Sequence, residues 1–333
     1  MNPTPRNDAP AGDYAQLTPD VLLDAVDRCG YRSSGQLLAL NSYENRVYRI
    51  GLEDGPPLVA KFYRPGRWST PAILEEHDFA RELATQEIPV VAPLVSNDAT
   101  LQEYAGYRFA LYPCQGGGWP ELARREERAW MGRFIGRIHA VGATRLFEHR
   151  PVLTVDNLGA RSVRFLLEQR FLPAHIETAY RTLTADLLQQ VNGCFAAAGN
   201  GTTLRLHGDC HPGNVLWTQQ GPHFVDLDDC QNGPAIQDLW MLISGERHEM
   251  QRQLADLLEG YRQFHEFDER ELVLIEALRT LRMIHYAAWL ARRLEDPAFP
   301  RAFPWFNTPR YWEEHILALR EQSSLMQEAP LSI

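Results

Sequence analysis
Apolar positions along the chain recur first with a strand period and later with a helix period, and the change divides the sequence. In the first part the run 46–50 (RVYRI) alternates, while 58–63 (LVAKFY) is β-branched and aromatic. Alternation sends successive side chains to opposite faces of a strand. EDGPP between the runs is turn chemistry, so together they predict a hairpin. A helix is predicted from Thr70-Pro71, a capping hydroxyl followed by proline at the first helical position, to about Gln86. Two further apolar stretches follow at 90–95 (VVAPLV) and 107–113 (YRFALYP).

The segment 114–120 (CQGGGWP) puts three consecutive glycines after a strand and reads as a hinge or linker. Beyond it the helical period dominates. Met131, Phe134, Ile135 and Ile138 share one face, and Gly132 and Gly136 allow another element to approach closely. A further helix is predicted over 176–199. Two short β-like segments, 204–207 (LRLH) and 223–227 (HFVDL), are separated by the turn TQQGP, and helical spacing resumes from Ala235. The expected organisation is a polar flexible leader over 1–16, an N-lobe over 17–113, a hinge over 114–120 and a C-lobe over 121–333. The fold class is α+β, with a small β-rich lobe carrying one helix and a larger, mostly helical lobe.

Composition narrows the function. With 44% hydrophobic and 23% charged residues in 333, the chain can bury a sizeable core. A net charge of -10 disfavours non-specific nucleic-acid binding. The five cysteines form no C-x-x-C pair, which suits free thiols in a reducing, cytoplasmic compartment. The first residues carry no apolar signal-like core, and no apolar run approaches the roughly 18 residues a membrane span needs. Without a coiled-coil pattern or a long apolar face, a monomer is expected.

The chemistry concentrates in His207-Gly-Asp209-Cys-His211-Pro-Gly-Asn214 and, shortly after, Val225-Asp226-Leu-Asp228-Asp229. Such a set suits phosphoryl transfer. That reaction spreads negative charge over the transferred group and is catalysed mainly by positioning and neutralisation. Asp209 is the candidate to accept or orient an attacking hydroxyl. Asn214 and Asp226 supply hard oxygen ligands for Mg2+, and Asp226 is counted with the catalytic groups. Asp228 could add a further metal contact. The cation for the phosphates of ATP is Lys61, in the strand 58–63. Ile73, Glu76, Ala80 and Leu83 follow helical steps of three, four and three, so Glu76 is the charged member of an apolar stripe and the expected partner of Lys61. Glu75, by contrast, falls with Glu82 and Gln86 on a face read as solvated. His207, Cys210 and His211 have zinc-ligand chemistry but no clean second pair, so bracing of the loop is the preferred reading. Trp305 and Trp312 read as packing residues, and the arginines at 279, 282, 292 and 293 as a solvated face or part of a substrate groove.

H-G-D-x-H-x-x-N followed by D-x-D-D resembles the catalytic and metal-binding loops of the aminoglycoside phosphotransferase and choline-kinase group, a branch of the protein-kinase-like fold. NSYENRVY (41–48), KFYRPGRW (61–68), ILEEHDFA (73–80), HGDCHPGN (207–214), FVDLDD (224–229) and DPAFP (296–300) together resemble the bacterial stress-response kinase A family. The resemblance runs from about Thr18 to beyond Trp312. It implies a two-lobed, Mg-ATP-dependent Ser/Thr protein kinase that autophosphorylates and acts in stress response. It also implies Asp209 as base, Asn214 and Asp226 as metal ligands, Ser42 at the nucleotide, 107–113 as the adenine-binding hinge, and Asp238 anchoring the catalytic loop. The nucleotide loop NSYENR is poor in glycine, so Ser42 and Asn45 are the candidates to hold phosphate with their side chains. Gly208 stands where protein kinases often carry an arginine that receives a phosphorylated loop. A protein of unknown identity is the expected acceptor, with no nucleic-acid or membrane partner. The alternatives are a small-molecule kinase of the choline, homoserine or aminoglycoside type, a metal-dependent hydrolase, and an inactive scaffold.

Overall fold
Residues 14–199, 201–296 and 298–333 are described by the computed structural model. They divide into two compact units. The first holds the described residues up to Arg81 together with Val91–Gln115, and the second holds Glu82–Val90 and the chain from Gly116 onward. Most of the predicted leader, residues 1–13, lies outside the described residues. Tyr14, counted with that leader, packs on the first unit. Its ring stacks on Tyr107 at 6.2 Å and its hydroxyl donates to the Phe62 carbonyl.

The first unit is built on an antiparallel sheet of five strands. These are β1 (Ser33–Ala39), β2 (Arg46–Leu52), β3 (Leu58–Phe62), β4 (Gln102–Tyr104) and β5 (Tyr107–Pro113), in the order β1-β2-β3-β5-β4. The predicted hairpin is β2–β3, with Arg46 opposite Phe62 and Ile50 opposite Leu58. One face of the sheet carries Ile50, Leu58, Ala60, Phe62, Phe109 and Leu111 into a core closed by Leu22, Ala25 and Val26. Each Leu, Ile, Val or Phe among them, fully buried, contributes about 1.5–3 kcal/mol. The last three belong to α1 (Pro19–Arg28), so this unit has two helices rather than the one expected. The start of α1 was nonetheless written in the sequence: Thr18 caps the Val21 amide and Pro19 occupies the first turn. The other helix, α2 (Thr70–Thr85), begins one residue earlier in its capping than predicted, because the hydroxyl that takes the Ala72 amide is that of Ser69.

In the second unit α3 (Arg125–Gly142) packs on α6 (Arg247–Tyr261) almost backbone to backbone. A Cβ on Gly132 would lie 1.9 Å from the Leu257 carbonyl oxygen, and one on Gly136 2.5 Å from that of Tyr261. The predicted glycine stripe is thus a close-approach seam. A separate core gathers Leu166, Tyr180, Leu187, Ile284, Ala288, Trp312 and Leu319. It is built by α4 (Arg161–Glu168), α5 (Ala174–Ala198), α7 (Leu274–Arg292) and α9 (Pro309–Leu325), with the short α8 (Ala298–Ala302) adding Phe299. Trp312 is fully buried there, whereas Trp305 is exposed. No helix among the described residues is long and apolar enough to cross a membrane.

The two short β-like segments pair with strands that the sequence did not single out. HFVDL does not pair with LRLH. Instead β7 (Val215–Thr218) forms a hairpin with β8 (Gly221–Phe224), and β6 (Leu204–Leu206) pairs with β9 (Gln231–Gly233). Strands of three or four residues carry too few positions for a period to show. Of the glycine-rich segment, Gly118 exchanges two backbone hydrogen bonds with Trp217, and a Cβ on Gly117 would press on Leu216 at 2.9 Å. In the second unit these glycines permit contact with β7.

Candidate active site
The first unit supplies a buried cation. Lys61 sits in mid-β3 and its Nζ lies 3.2 Å from Glu76 Oε1 on α2, with only 7% and 4% of the two side chains exposed. The helical stripe predicted from three-four-three spacing does bring Glu76, not Glu75, to the lysine. Burial of a lone ammonium would cost several kcal/mol, so the pair exists as a unit. The ammonium also lies 5.1 Å from the Tyr63 ring centroid. Tyr63 continues into a buried chain: its hydroxyl meets His77 Nε2 at 2.7 Å, and His77 Nδ1 meets the Thr100 hydroxyl at 2.8 Å. Burial first, and then the Glu76 charge, push the Tyr63 phenol well above its ordinary range. This network ties α2 to the sheet and fixes the carboxylate that holds Lys61.

Register places Leu38, Val47, Val59, Ala110 and Tyr112 on the same face of the sheet as Lys61. Leu38 is exposed, Val47 and Val59 are half-buried, and exposed Arg49 stands between Leu38 and Val59, so this face is open and partly apolar. The β1–β2 loop at the edge of this face is held by side chains. Ser42 Oγ donates to the Asn45 carbonyl at 3.1 Å, and Asn45 Oδ1 accepts the Arg64 amide at 3.1 Å. Arg64, unnoticed in the sequence, donates to the carbonyls of Glu44 and Tyr43 at 2.8 and 3.1 Å. Asn45 is buried, so in this structure it braces the loop. Ser42 is half-buried.

The second unit holds the aspartate loop. Asp238 accepts the His207 amide on Oδ2 and the Gly208 amide on Oδ1, each at 2.8 Å. Its Oδ2 also meets His139 Nε2 at 3.1 Å, and His139 Nδ1 meets the Tyr261 hydroxyl at 2.9 Å. His139 was missed by sequence reasoning, yet it continues the Gly132–Gly136 stripe of α3 and is fully buried. Gly208 has φ +87, and a Cβ there would lie 2.0 Å from the Asp229 carbonyl oxygen. Both facts require glycine at the position where protein kinases carry arginine.

Asp209 carries two cationic or polar neighbours. His211 Nε2 stands 3.4 Å from its Oδ2, and Arg282 of α7 makes a close ion pair with its Oδ1. Burial opposes ionisation of Asp209. The hydrogen bond from His211 and the Arg282 charge outweigh it and hold the carboxyl well below the ordinary carboxylate range. Asn214 donates from Nδ2 to the Asp209 carbonyl at 3.0 Å and approaches Asp209 Oδ2 at 3.4 Å. Its Oδ1 is thereby left as an oxygen donor. The Asn214 carbonyl accepts the Val225 amide at 3.0 Å, and the Val225 carbonyl meets His207 Nε2 at 3.0 Å. Asp226, the next residue, is left-handed with φ 58 and ψ 65. That conformation costs an L-residue about 1 kcal/mol and is tolerated best by Asn and Asp. Buried Arg150 fixes the following turn through the Cys230 carbonyl at 3.0 Å and that of Asp228.

Two hard oxygen donors on adjoining loops, Asn214 Oδ1 and the Asp226 carboxylate, fit a hard divalent cation that keeps several waters and phosphate oxygens. Zinc fits less well. Among the described residues no group of three His, Cys, Asp or Glu could hold a metal. His207 is engaged with Val225, and His211 Nδ1 accepts the Gly213 amide at 3.0 Å. The Cys210 thiol is buried, and burial pushes it well above its usual range. Glu82 is a further correction. It is no solvated charge but takes Arg205 at 2.7 Å and Arg145 at 3.0 Å. Burial raises its carboxyl and the two guanidiniums outweigh that, leaving it lowered. Of the α7 arginines, only Arg282 meets the aspartate loop. Arg292 lies over Phe165 and Arg293 over Trp289.

A strand lysine held by a helix carboxylate, and an aspartate loop braced from a second aspartate, define a kinase-like phosphotransferase. The chain belongs to the phosphotransferase enzyme family, whose profile matches residues 36–275. It is 42% identical over 320 residues to "Stress response kinase A" of Escherichia coli strain K12, covering 96% of this chain and 97% of that protein. It is equally 42% identical, with the same coverage, to "Serine/threonine protein kinase RdoA" of Salmonella typhimurium strain LT2. Among solved structures it resembles amicoumacin kinase hAmiN (TM-score 0.69, 18% identity, 96% of this chain and 98% of that one). It also resembles a microcompartment-associated aminopropanol kinase (TM-score 0.67, 18% identity, 91% and 100%). At that identity the likeness is one of fold.

Proposed function
We propose that this protein transfers the γ-phosphoryl group of Mg-ATP to Ser or Thr hydroxyls of proteins, itself included, in a stress response. The observation that carries the reading is Asp209: a carboxylate kept ionised, braced by Asn214, on a loop anchored by Asp238. Supporting it are the relatives at 42% identity, named as a stress-response and a Ser/Thr kinase.

In this reading Lys61 holds ATP phosphates, the open, partly apolar face around Leu38 and Val47 takes the adenine, and Ser42 contacts the nucleotide while Asn45 keeps the loop in shape. Asn214 Oδ1 and Asp226 would hold Mg2+, which would supply charge neutralisation on the phosphates. Asp209 accepts a hydrogen bond from the acceptor hydroxyl, aims its oxygen at the γ-phosphorus and receives the proton as the new O–P bond forms and the bond from the γ-phosphorus to the β,γ-bridging oxygen breaks, with ADP leaving. The test is incubation with γ-labelled ATP and a generic protein such as casein, followed by phosphoamino-acid analysis. Labelled phosphoserine or phosphothreonine, lost in Asp209→Asn, is expected. Absence of label in the wild type with Mg2+ present would overturn the reading.

A further inference from the structure
The Arg282–Asp209 pair has a direction built into it. Arg282 comes from α7, 73 residues away in sequence, and its side chain is 46% exposed. A guanidinium has five donors in a planar fork, and one carboxylate oxygen does not use them all. Along α7, Arg282, Tyr286, Trp289 and Arg293 follow steps of four, three and four, so they form one stripe leading away from Asp209. Tyr286 and Trp289 stack at 5.7 Å with 13° between rings, and the Arg293 guanidinium lies 4.8 Å from the Trp289 ring centroid. Tyr286 is exposed. The only carboxylate on α7, Glu276, is turned to Arg279 at 3.1 Å. The stripe beside Asp209 therefore carries arginine and aromatic side chains, with Arg282 nearest the carboxylate.

We infer that Arg282 is the specificity-determining residue for the acceptor, and that it selects a hydroxyl flanked by an anion, either a carboxylate or a phosphate. This rests on the phosphotransferase reading of Asp209 and adds the class of acceptor. Arg282 stands on one oxygen of Asp209 and His211 on the other, so an acceptor hydroxyl that reaches this carboxylate comes beside the Arg282 guanidinium. An anionic neighbour offers Arg282 a replacement partner and draws it off the carboxylate. A cationic acceptor offers nothing and meets like charge. The stacked pair beyond Arg282 provides a flat surface for the acceptor chain.

The experiment compares kcat/KM of the full-length protein for serine peptides flanked by Glu, by phosphoserine, by Ala and by Lys. Glycolate and ethanolamine serve as small anionic and cationic alcohols. The wild type is expected to favour the Glu- or phosphoserine-flanked peptide over the Lys-flanked one by about tenfold or more. The ratio between those two arms tells which anion is read. Arg282→Lys keeps the order, Arg282→Gln flattens it and Arg282→Glu reverses it. Each variant is judged by its own ratio, so a general loss of activity does not mask the result. A wild-type ratio near one, a preference for Lys or ethanolamine, or a ratio unmoved in both Arg282→Gln and Arg282→Glu overturns the inference. Transfer to glycolate but to no peptide, with the same dependence on Arg282, sinks the protein-kinase reading and keeps this one. Transfer to no acceptor at all overturns both.

Discussion
Two ion pairs, one in each unit, are constructed in opposite ways. Lys61–Glu76 is sealed between a strand and a helix, and neither side chain reaches solvent to any extent. Arg282–Asp209 joins a helix to a loop, and nearly half of the arginine is exposed. A sealed pair cannot exchange partners without leaving a charge in a low-dielectric interior, so its geometry is fixed. An open pair contributes little to stability and exchanges cheaply. The difference separates a charge fixed by its surroundings from one that is free at one end to change partners.

The largest stability effect should come from breaking the sealed pair. Glu76→Ala leaves the Lys61 ammonium buried without that carboxylate and should cost about 3–5 kcal/mol in denaturant unfolding. A loss below about 1 kcal/mol would show that the pair is hydrated and that the comparison fails. Next comes Gly132→Ala. The added methyl must push α3 off α6 at the Leu257 carbonyl, and about 1–3 kcal/mol should be lost with the fold retained.

A pH effect of similar size is expected at Glu271, whose Oε2 caps the Ile236 amide at 2.8 Å. Burial pushes its carboxyl up to about 7. The folded state therefore keeps a proton that the unfolded chain releases near its ordinary value of 4.5. Stability should fall as pH rises from about 4.5 towards 7 and then level off. Glu271→Gln keeps an acceptor for the amide and removes that slope, with a gain on the order of 3 kcal/mol at pH 8. An identical slope in wild type and variant, by chemical denaturation across that range, would contradict it. The smallest effect is Arg282→Ala, which leaves the mostly buried Asp209 with His211 and Asn214 and should cost about 1 kcal/mol. A larger loss would make the open pair a structural one.

The sealed pair was legible in the sequence and the open one was not, for a physical reason. Glu76 is 15 residues from Lys61 and both lie on regular elements, so periodicity alone aims them at each other. Arg282 reaches Asp209 only through the packing of α7 in the second unit, and no local pattern records such packing. Arg64 and Arg150 are similar: each braces a functional loop by donating to backbone carbonyls, which have no sequence signature. The hairpin β2–β3, strand β5, helix α2 and the glycine seam of α3 all followed from period and turn chemistry. Strands β7 and β9 escaped because each is too short to show a period. Helix α1 was missed although Thr18-Pro19 marks its start and Leu22, Ala25 and Val26 recur at helical spacing.

The most direct test of the central claim is single-turnover transfer from γ-labelled ATP, at saturating Mg-ATP, in wild type and Asp209→Asn. Asparagine keeps the shape of the side chain and removes the charge that receives the proton. The account predicts unchanged ATP affinity, measured separately, and a transfer rate lower by about 10²–10⁴-fold. A variant that binds ATP normally and transfers phosphate within a factor of about three of wild type would contradict it.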